Sequence, residues 1–349
     1  MRMKRVFSRA VALLLVAALF TLYGHAAPST SARSHILLDG NTGHILTEKN
    51  AHQRSLIAST TKIMTAVIVL ESMDLSQTVK IPGEAVGIEG SSLYLKEGEL
   101  LTVSDLLYGM MLHSGNDAAV VLAIACCGTV ADFVDSMNRK ALALSLQNTH
   151  FDNPNGLDGD THYSTAYDLA VLTAYALKIP GFKAIVSSKT ATAGTRPLKN
   201  HNRLLWMMDG IIGVKTGFTK AAGRILVSAL DYHGRTMIAV TIHDGNDWMD
   251  HMSLYEYGKT LYTPQTLICK EQRVGELPML HGGVTGLYAW EELIVYALEG
   301  ELPVLSLRYP LIGLTHSGSG LLDVYIGDLH IRQIPVIWED ISLWNDYRS

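Results

Sequence analysis

Ile63, Ala66, Val67 and Leu70 fall at the i, i+3, i+4, i+7 spacing of one helix face, so the hydrophobic pattern predicts a helix beginning close to Ser59. Upstream, residues 35–51 (HILLDGNTGHILTEKNA) alternate about turn residues at Asp39-Gly40-Asn41 and Gly43, as a β-hairpin does. A second helix is predicted from Thr102, where Thr102-x-x-Asp105 resembles a capping box. It runs through Leu106, Leu107, Met110 and Met111 to a stop at Ser114-Gly115-Asn116. Further helices are expected over 117–127 and 131–146, and another, capped by Ser164 or Thr165, runs to Leu177. Between them, FDNPNGLDGD at 151–160 is too rich in Asn, Asp, Gly and Pro to be other than loop.

After Gly210 the period changes. GVKTGFTKAAG leads into RILVSALDYHGRTMIAVTIHDG, two β-rich runs about a turn at His233-Gly234, and a helix is expected from Trp248 to Tyr262. Strands at both ends with helices between them predict an α+β domain in which one antiparallel sheet is completed by both ends of the segment. From Thr263 the texture becomes short β-like runs (ELIVYAL, PVLSLRYP, LLDVYIGDLH) separated by turns, which predicts a small all-β domain.

The N-terminus adds a destination. Arg2, Lys4, Arg5 and Arg9 precede an apolar run from Ala10 to Leu22 and the small residues Gly24-His25-Ala26, the layout of a secretory signal cut after Ala26. That run of 13 residues is shorter than the roughly 20 a membrane span needs, although an uncleaved anchor is the competing reading. The domain expectation is therefore 1–26 signal peptide, 27–262 the α+β domain and 263–349 small β domain, in a protein that is exported. A net charge of −5 leaves no basic footprint for nucleic acid. Adjacent Cys126 and Cys127 are poorly placed to pair, and with distant Cys269 they read as buried free thiols. Gly213, Gly217 and Gly223 form no phosphate-binding loop, so no cofactor is expected. The acidic stretch with Asp244, Asp247, Asp250, His243 and His251 keeps no metal-ligand pattern and reads as a solvated loop and helix start.

The candidate chemistry lies in three short strings in register: Ser59-Thr60-Thr61-Lys62 at a helix start, Ser114-Gly115-Asn116 in a turn, and Lys215-Thr216-Gly217 on a strand. Ser136-Met137-Asn138 also fits the second pattern but reads as a helix surface. A serine hydroxyl needs an adjacent base, and Lys62 one turn away serves only if burial and a second cation such as Lys215 strip its proton. Asn116 can orient Lys62 and a substrate amide, and Ser114 can pass a proton to a leaving amine. Thr216 suits a substrate carboxylate, Gly217 permits close approach of a peptide-like ligand, and the N–H groups of Ser59 and Phe218 are reasonable oxyanion donors. His113 beside Ser114 reads as a structural turn histidine.

The three strings together resemble the penicillin-recognising serine enzymes. Longer stretches, MMLHSGNDAAVVLA, FDNPNGLDGDTHYSTAYDLAVL and GVKTGFTKAAGRILVSA among them, resemble the low-molecular-weight D-alanyl-D-alanine carboxypeptidases over residues 35 to about 262. The resemblance implies a β-lactamase/transpeptidase-like fold followed by a small β-sandwich, and an acyl-enzyme on Ser59 formed with peptidoglycan stem peptides ending in D-Ala-D-Ala. It makes β-lactams inhibitors and leaves a membrane surface open as a partner. Relatives often bind the terminal carboxylate with an arginine beyond the KTG strand. HDGNDWMDHM at 243–252 has none, so Thr216 and Lys215 are expected to bind it, and the stretch resembles instead a subgroup from spore-forming Gram-positive bacteria. The tail IPVIWEDISLWNDYRS has too few basic residues to suggest an amphipathic anchor. A class A β-lactamase is disfavoured because no glutamate occurs from Leu100 to Tyr255. An endopeptidase with the same residues and a catalytically silent wall-binding scaffold remain the alternatives.

Overall fold

The computed structural model describes residues 26–278, 283–301, 305–308, 318–326 and 329–339; residues 1–25 of the expected leader and the end of the tail lie outside these. In chain order come β1 (Ser34–Asp39), β2 (Ile45–Lys49), α1 (Lys62–Ser72), β3 (Thr78–Lys80), β4 (Leu100–Thr102), α2 (Val103–Leu112), α3 (Asn116–Cys127) and α4 (Val130–Ala143). They are followed by α5 (Ala166–Ala176), α6 (Phe182–Ser187), β5 (Thr190–Ala193), β6 (Arg196–Lys199), α7 (Leu204–Met207), β7 (Ile211–Thr219), β8 (Gly223–Tyr232), β9 (Arg235–Ile242) and α8 (Asp247–Leu261).

Both ends of this segment meet in one antiparallel sheet of order β2-β1-β9-β8-β7, as the α+β reading requires. Strand β1 is buried along its whole length. Its alternate residues serve two cores: Ile36 and Leu38 join the large one with Ile63, Val67 and Leu169, whereas Leu37 joins a smaller one with Met237, Leu254 and Tyr255 of β9 and α8. The sheet thus lies between a helical layer and α8, and β7 is left at an edge.

Helix α1 is buried through its first eight residues, Lys62 included, so it is the hub of the helical layer rather than a surface helix with one apolar stripe. The capping box at α2 is present: Asp105 N donates to Thr102 Oγ1 (3.0 Å) and Thr102 N to the Asp105 carboxylate (3.1 Å). Thr165, not Ser164, caps α5. Helix α4 ends at Ala143, short of the expected Leu146, where Ser145 turns to a left-handed φ of 58°. Asn138 is not idle on that helix: its amide exchanges two hydrogen bonds of 2.9 Å with the backbone of Phe151 and pins the loop that follows. The three cysteines are free but not buried as expected: Cys126 and Cys127 are half-buried, and Cys269 is exposed at the turn just past the strand that ends at Ile268.

The β-rich region consists of β10 (Tyr262–Ile268), β11 (Arg273–Pro278), β12 (Val284–Ala289), β13 (Leu293–Leu298), β14 (Leu305–Arg308), β15 (Gly318–Ile326) and β16 (Leu329–Glu339). β10 pairs with β13, the others form a sheet of order β11-β12-β16-β15-β14, and Leu287, Leu293, Val324 and Val336 are among the residues of its separate core. At the junction Arg235, 3% exposed, lies 3.3 Å from Asp39 on one side and against Glu301 on the other. Tyr262 donates its hydroxyl hydrogen to Asp39 (2.7 Å), and His233 stacks on Tyr296 at 4.0 Å. Arg235→Met strands two carboxylates without their cation, so we expect a loss of about 3–5 kcal/mol of stability, read as a lowered midpoint in denaturant unfolding. A midpoint equal to that of the unaltered protein would show the cluster to be energetically idle.

Candidate active site

Ser59 lies on a 3-10 turn, Ala58–Thr61, that leads into α1, and the residue before it, Ala58, is held at a φ of 45°. Two glycines let other segments close on this turn. A Cβ at Gly156 would come within 1.9 Å of the Ala58 carbonyl oxygen, and one at Gly217 within 3.1 Å of that of Ile57. The close approach at Gly217 is therefore to the turn of Ser59 itself as well as to the cleft it lines.

Lys62 Nζ is wholly buried and lies 3.0 Å from Ser59 Oγ, 2.6 Å from Asn116 Oδ1 and 2.5 Å from the carbonyl oxygen of Asn155. The last two atoms only accept, so a neutral amine spends both its hydrogens on them and turns its lone pair to the hydroxyl of Ser59. Asn116 is fixed in the required sense because its Nδ2 donates to Glu89 O (2.6 Å). Asn155 is presented by the loop that Asn138 pins, closed further by Asn153 Oδ1 accepting from Gly156 N (2.7 Å) and by Thr65 donating to Pro154 O (2.6 Å).

On the far side, Ser114 sits at a φ of 66° and accepts from Lys215 Nζ (3.1 Å), which also donates to Thr216 O (2.8 Å). Burial brings Lys215 down to about 7. Burial pushes Lys62 well below the usual lysine range, with the charge of Lys215 adding to the effect and Asp117 opposing it. Ser59, Ser114, Thr216, Gly217 and Phe218 line one cleft of about 490 Å³, and Phe218 stands on its rim, 64% exposed. The eight predicted residues, Ser59, Lys62, Ser114, Asn116, Lys215, Thr216, Gly217 and Phe218, thus converge on one place.

Four contributors were not legible. Asn155 acts through its backbone, which no residue pattern marks. Arg224, Asp247 and His201 reach the cleft from distant segments. Arg224 lies opposite Phe218 in the β7–β8 hairpin, so the pairing register was the available signal. His201 packs against His113 with ring centroids 5.0 Å apart, and burial, then the charges of Lys215 and His113, bring it to about 4, so it stays neutral.

The stretch expected to be solvated is in fact buried at Asp244, Asp247, Asp250 and His251. Ser31 covers it: its N–H donates to Asp250 Oδ2 (2.6 Å), and its hydroxyl lies 2.6 Å from Asp244 Oδ1 and 2.9 Å from Asp250 Oδ2. One hydroxyl hydrogen can serve only one of the two carboxylates at a time. Burial raises Asp250; at Asp244 burial acts the same way but is outweighed by bonds led by that from Ser31. His251 is held neutral by burial, between Ser228 (2.7 Å) and Thr241 (3.0 Å).

Known proteins resemble this chain in sequence and in fold. The peptidase S11 family, described as D-alanyl-D-alanine carboxypeptidase, matches residues 22–246. D-alanyl-D-alanine carboxypeptidase DacD of Escherichia coli is 32% identical over 335 residues, covering 89% of this chain and 86% of that protein. DacF of Bacillus subtilis is 36% identical over 219 residues, and there the alignment covers 60% of this chain but only 56% of the relative. Among solved structures, penicillin binding protein 5 from Haemophilus influenzae superposes with a TM-score of 0.68 at 26% identity, over 91% of this chain and 99% of that one. A mutant of the Streptomyces K15 DD-transpeptidase does so at 0.64 and 35%, over 67% of this chain and all of that one.

Since the unprotonated amine of Lys62 is the reactive form, acylation of Ser59 by a β-lactam should rise with pH through the depressed Lys62 pKa and be on its plateau well below pH 10. Lys215→Gln removes the charge that helps depress Lys62, so the ascending limb moves to higher pH; a limb that stays put would refute the coupling. Gly156→Ala drives a methyl group into the Ala58 carbonyl, and we expect the labelling rate to fall at least tenfold as Asn155 O withdraws from Lys62.

Proposed function

Because the chain belongs to the peptidase S11 family of D-alanyl-D-alanine carboxypeptidases, we propose that Ser59 is its nucleophile and Lys62 its general base in the hydrolysis of the terminal D-Ala from peptidoglycan stem peptides. The observation that carries this assignment is the bonding of Lys62 Nζ: two buried carbonyl-type acceptors on one side, Ser59 Oγ on the other. Ser59 gives its proton to Lys62 and attacks the carbonyl carbon of the penultimate D-Ala, while the N–H groups of Ser59 and Phe218 stabilise the oxyanion. The proton then reaches the leaving amine through Ser114, which Lys215 orients, and D-Ala departs. Water enters the vacated space, loses a proton to Lys62 and frees the shortened peptide. Asn116 holds Lys62 and the substrate amide in line, and Thr216 with Lys215 faces the substrate carboxylate.

A β-lactam presents the same acyl group to Ser59 and forms the corresponding ester, in keeping with a penicillin-binding protein of the cell wall. The place of action that fits is the outer face of the cytoplasmic membrane or the wall itself. Residues 27–262 form the catalytic unit in this reading and 263–349 a small β domain beside it.

Mass spectrometry of a pentapeptide ending in D-Ala-D-Ala, incubated with the protein and with its Ser59→Ala variant, tests the assignment. We expect loss of one D-alanine with the unaltered protein alone, and covalent β-lactam labelling that Ser59→Ala abolishes. Cleavage that survives in Ser59→Ala would remove Ser59 from the mechanism.

A further inference from the structure

Two threonines follow Ser59, and each fixes one carbonyl of the turn that carries the nucleophile. Thr60 Oγ1 donates to Ile57 O (2.6 Å), and Thr61 Oγ1 donates to Ala58 O (2.8 Å). Thr61 Oγ1 also lies 2.7 Å from Nε2 of His162, a residue 101 positions further along the chain. His162 is 1% exposed, with its ring edge-on to Phe151 at a centroid distance of 5.8 Å. The mechanism gives this buried histidine no task.

The hydrogens along this chain of bonds can be placed one after another. Asp152 N donates to His162 Nδ1 (3.0 Å), so that nitrogen is bare. Burial holds the ring neutral, at about 4, with the charges of Asp152 and Asp158 acting the other way and His150 adding to the effect of burial. The Asp152 carboxylate is engaged elsewhere: it accepts from Thr161 N (3.2 Å) and Thr161 Oγ1 (2.6 Å) and lies 3.2 Å from His150 Nδ1. A neutral ring with a bare Nδ1 carries its hydrogen on Nε2, and Thr61 Oγ1 accepts it. The one hydrogen of that hydroxyl is then left for Ala58 O. Ala58 and Ser59 share a trans peptide unit, whose C=O and N–H point in opposite directions. Whatever fixes Ala58 O therefore fixes Ser59 N–H as well. Gly156 packs against the same unit: a Cβ there would come within 1.9 Å of Ala58 O and 2.9 Å of Ser59 N.

We propose that His162 is a positioning residue for the oxyanion site: through Thr61 and Ala58 O it aims the N–H of Ser59 into the cleft. The proposal rests on the reading of Ser59 N–H as an oxyanion donor. Ser59 lines the cleft, while the carbonyl end of its peptide unit is tied to buried Thr61 and, through it, to His162. An N–H aimed before substrate arrives stabilises charge as it develops, with no reorganisation at that moment. The bond accepted by Ala58 O also polarises the amide and strengthens Ser59 N–H as a donor. The loop 151–162 thus reaches the reaction at two points: Asn155 O bonds the base, and His162 sets the oxyanion donor. The substrate oxygen carries its negative charge only in the tetrahedral state, so loss of this support falls on the chemical step and leaves substrate binding in place.

The test measures kcat and KM on a D-Ala-D-Ala pentapeptide, and the affinity of a peptidyl boronic acid that forms a tetrahedral adduct with Ser59. It compares the unaltered protein with His162→Phe, His162→Gln, Thr61→Val, Thr61→Ser and the double variant His162→Phe/Thr61→Val. His162→Phe and Thr61→Val should each lower kcat about ten- to a hundredfold with KM held within about twofold, a part of what removing a whole oxyanion donor costs. Boronate affinity should fall by the same factor as kcat/KM. The double variant should be no slower than Thr61→Val, because both residues act through one chain of bonds. His162→Gln, whose amide can donate to Thr61, and Thr61→Ser, which keeps the hydroxyl, should each recover part of the rate. Losses that multiply in the double variant, losses confined to KM, or a boronate affinity that stays put while kcat falls would overturn the proposal. Should His162→Phe fail to fold, Thr61→Val against Thr61→Ser carries the same comparison, and equal rates in those two would overturn it. If instead the unaltered protein leaves the pentapeptide whole and a fluorescent penicillin does not label Ser59, the reading beneath the proposal has failed and the proposal with it.

Discussion

The cost of burying an ammonium ion governs this structure. A lysine wholly removed from water at the centre of a helical layer keeps its charge only at an expense of several kcal/mol, and that cost pushes its pKa well below the usual lysine range. The surroundings of Lys62 are those of an amine: two carbonyl-type oxygens that take its hydrogens and one hydroxyl that can use its lone pair. Each of those partners is secured in turn, Asn116 by the carbonyl of Glu89 and Asn155 by a loop that Asn138, Asn153 and Thr65 hold closed. Lys215 adds a like charge from the opposite wall to the burial that already lowers Lys62, whereas Lys215 is itself lowered by burial.

Two layers meet at the site. α1 and the turn at Ser114 bring the nucleophile, the base and the proton carrier; β7 at the sheet edge brings Lys215, Thr216 and Gly217. An edge strand normally invites unwanted pairing. Here most of β7 is buried, and Thr216, Gly217 and Phe218 near its end line the cleft.

What could be read in advance was local. The i, i+3, i+4, i+7 stripe of α1, the cap at Thr102, and the hairpin turning at His233-Gly234 each depend on residues within a few positions, and the three polar strings mark their own turns and strand. What escaped depends on register and docking. Asn155 contributes a backbone atom, Arg224 meets a partner 23 positions away only after α8 has packed, and Asp244 and Asp250 are hidden by Ser31, more than 200 positions upstream. Charged side chains near a helix start look solvated until a distant segment arrives with the matching donors. Asn138 shows the converse: a pattern match dismissed as surface turned out to support the loop beside Lys62.

The buried cluster of Arg235, Asp39 and Glu301 has a consequence for how the two regions are joined. Parting the two regions would expose or unpair three charges, so the junction opposes a swivel of one on the other. A cleft held in that way keeps one heading relative to the β-rich region beside it.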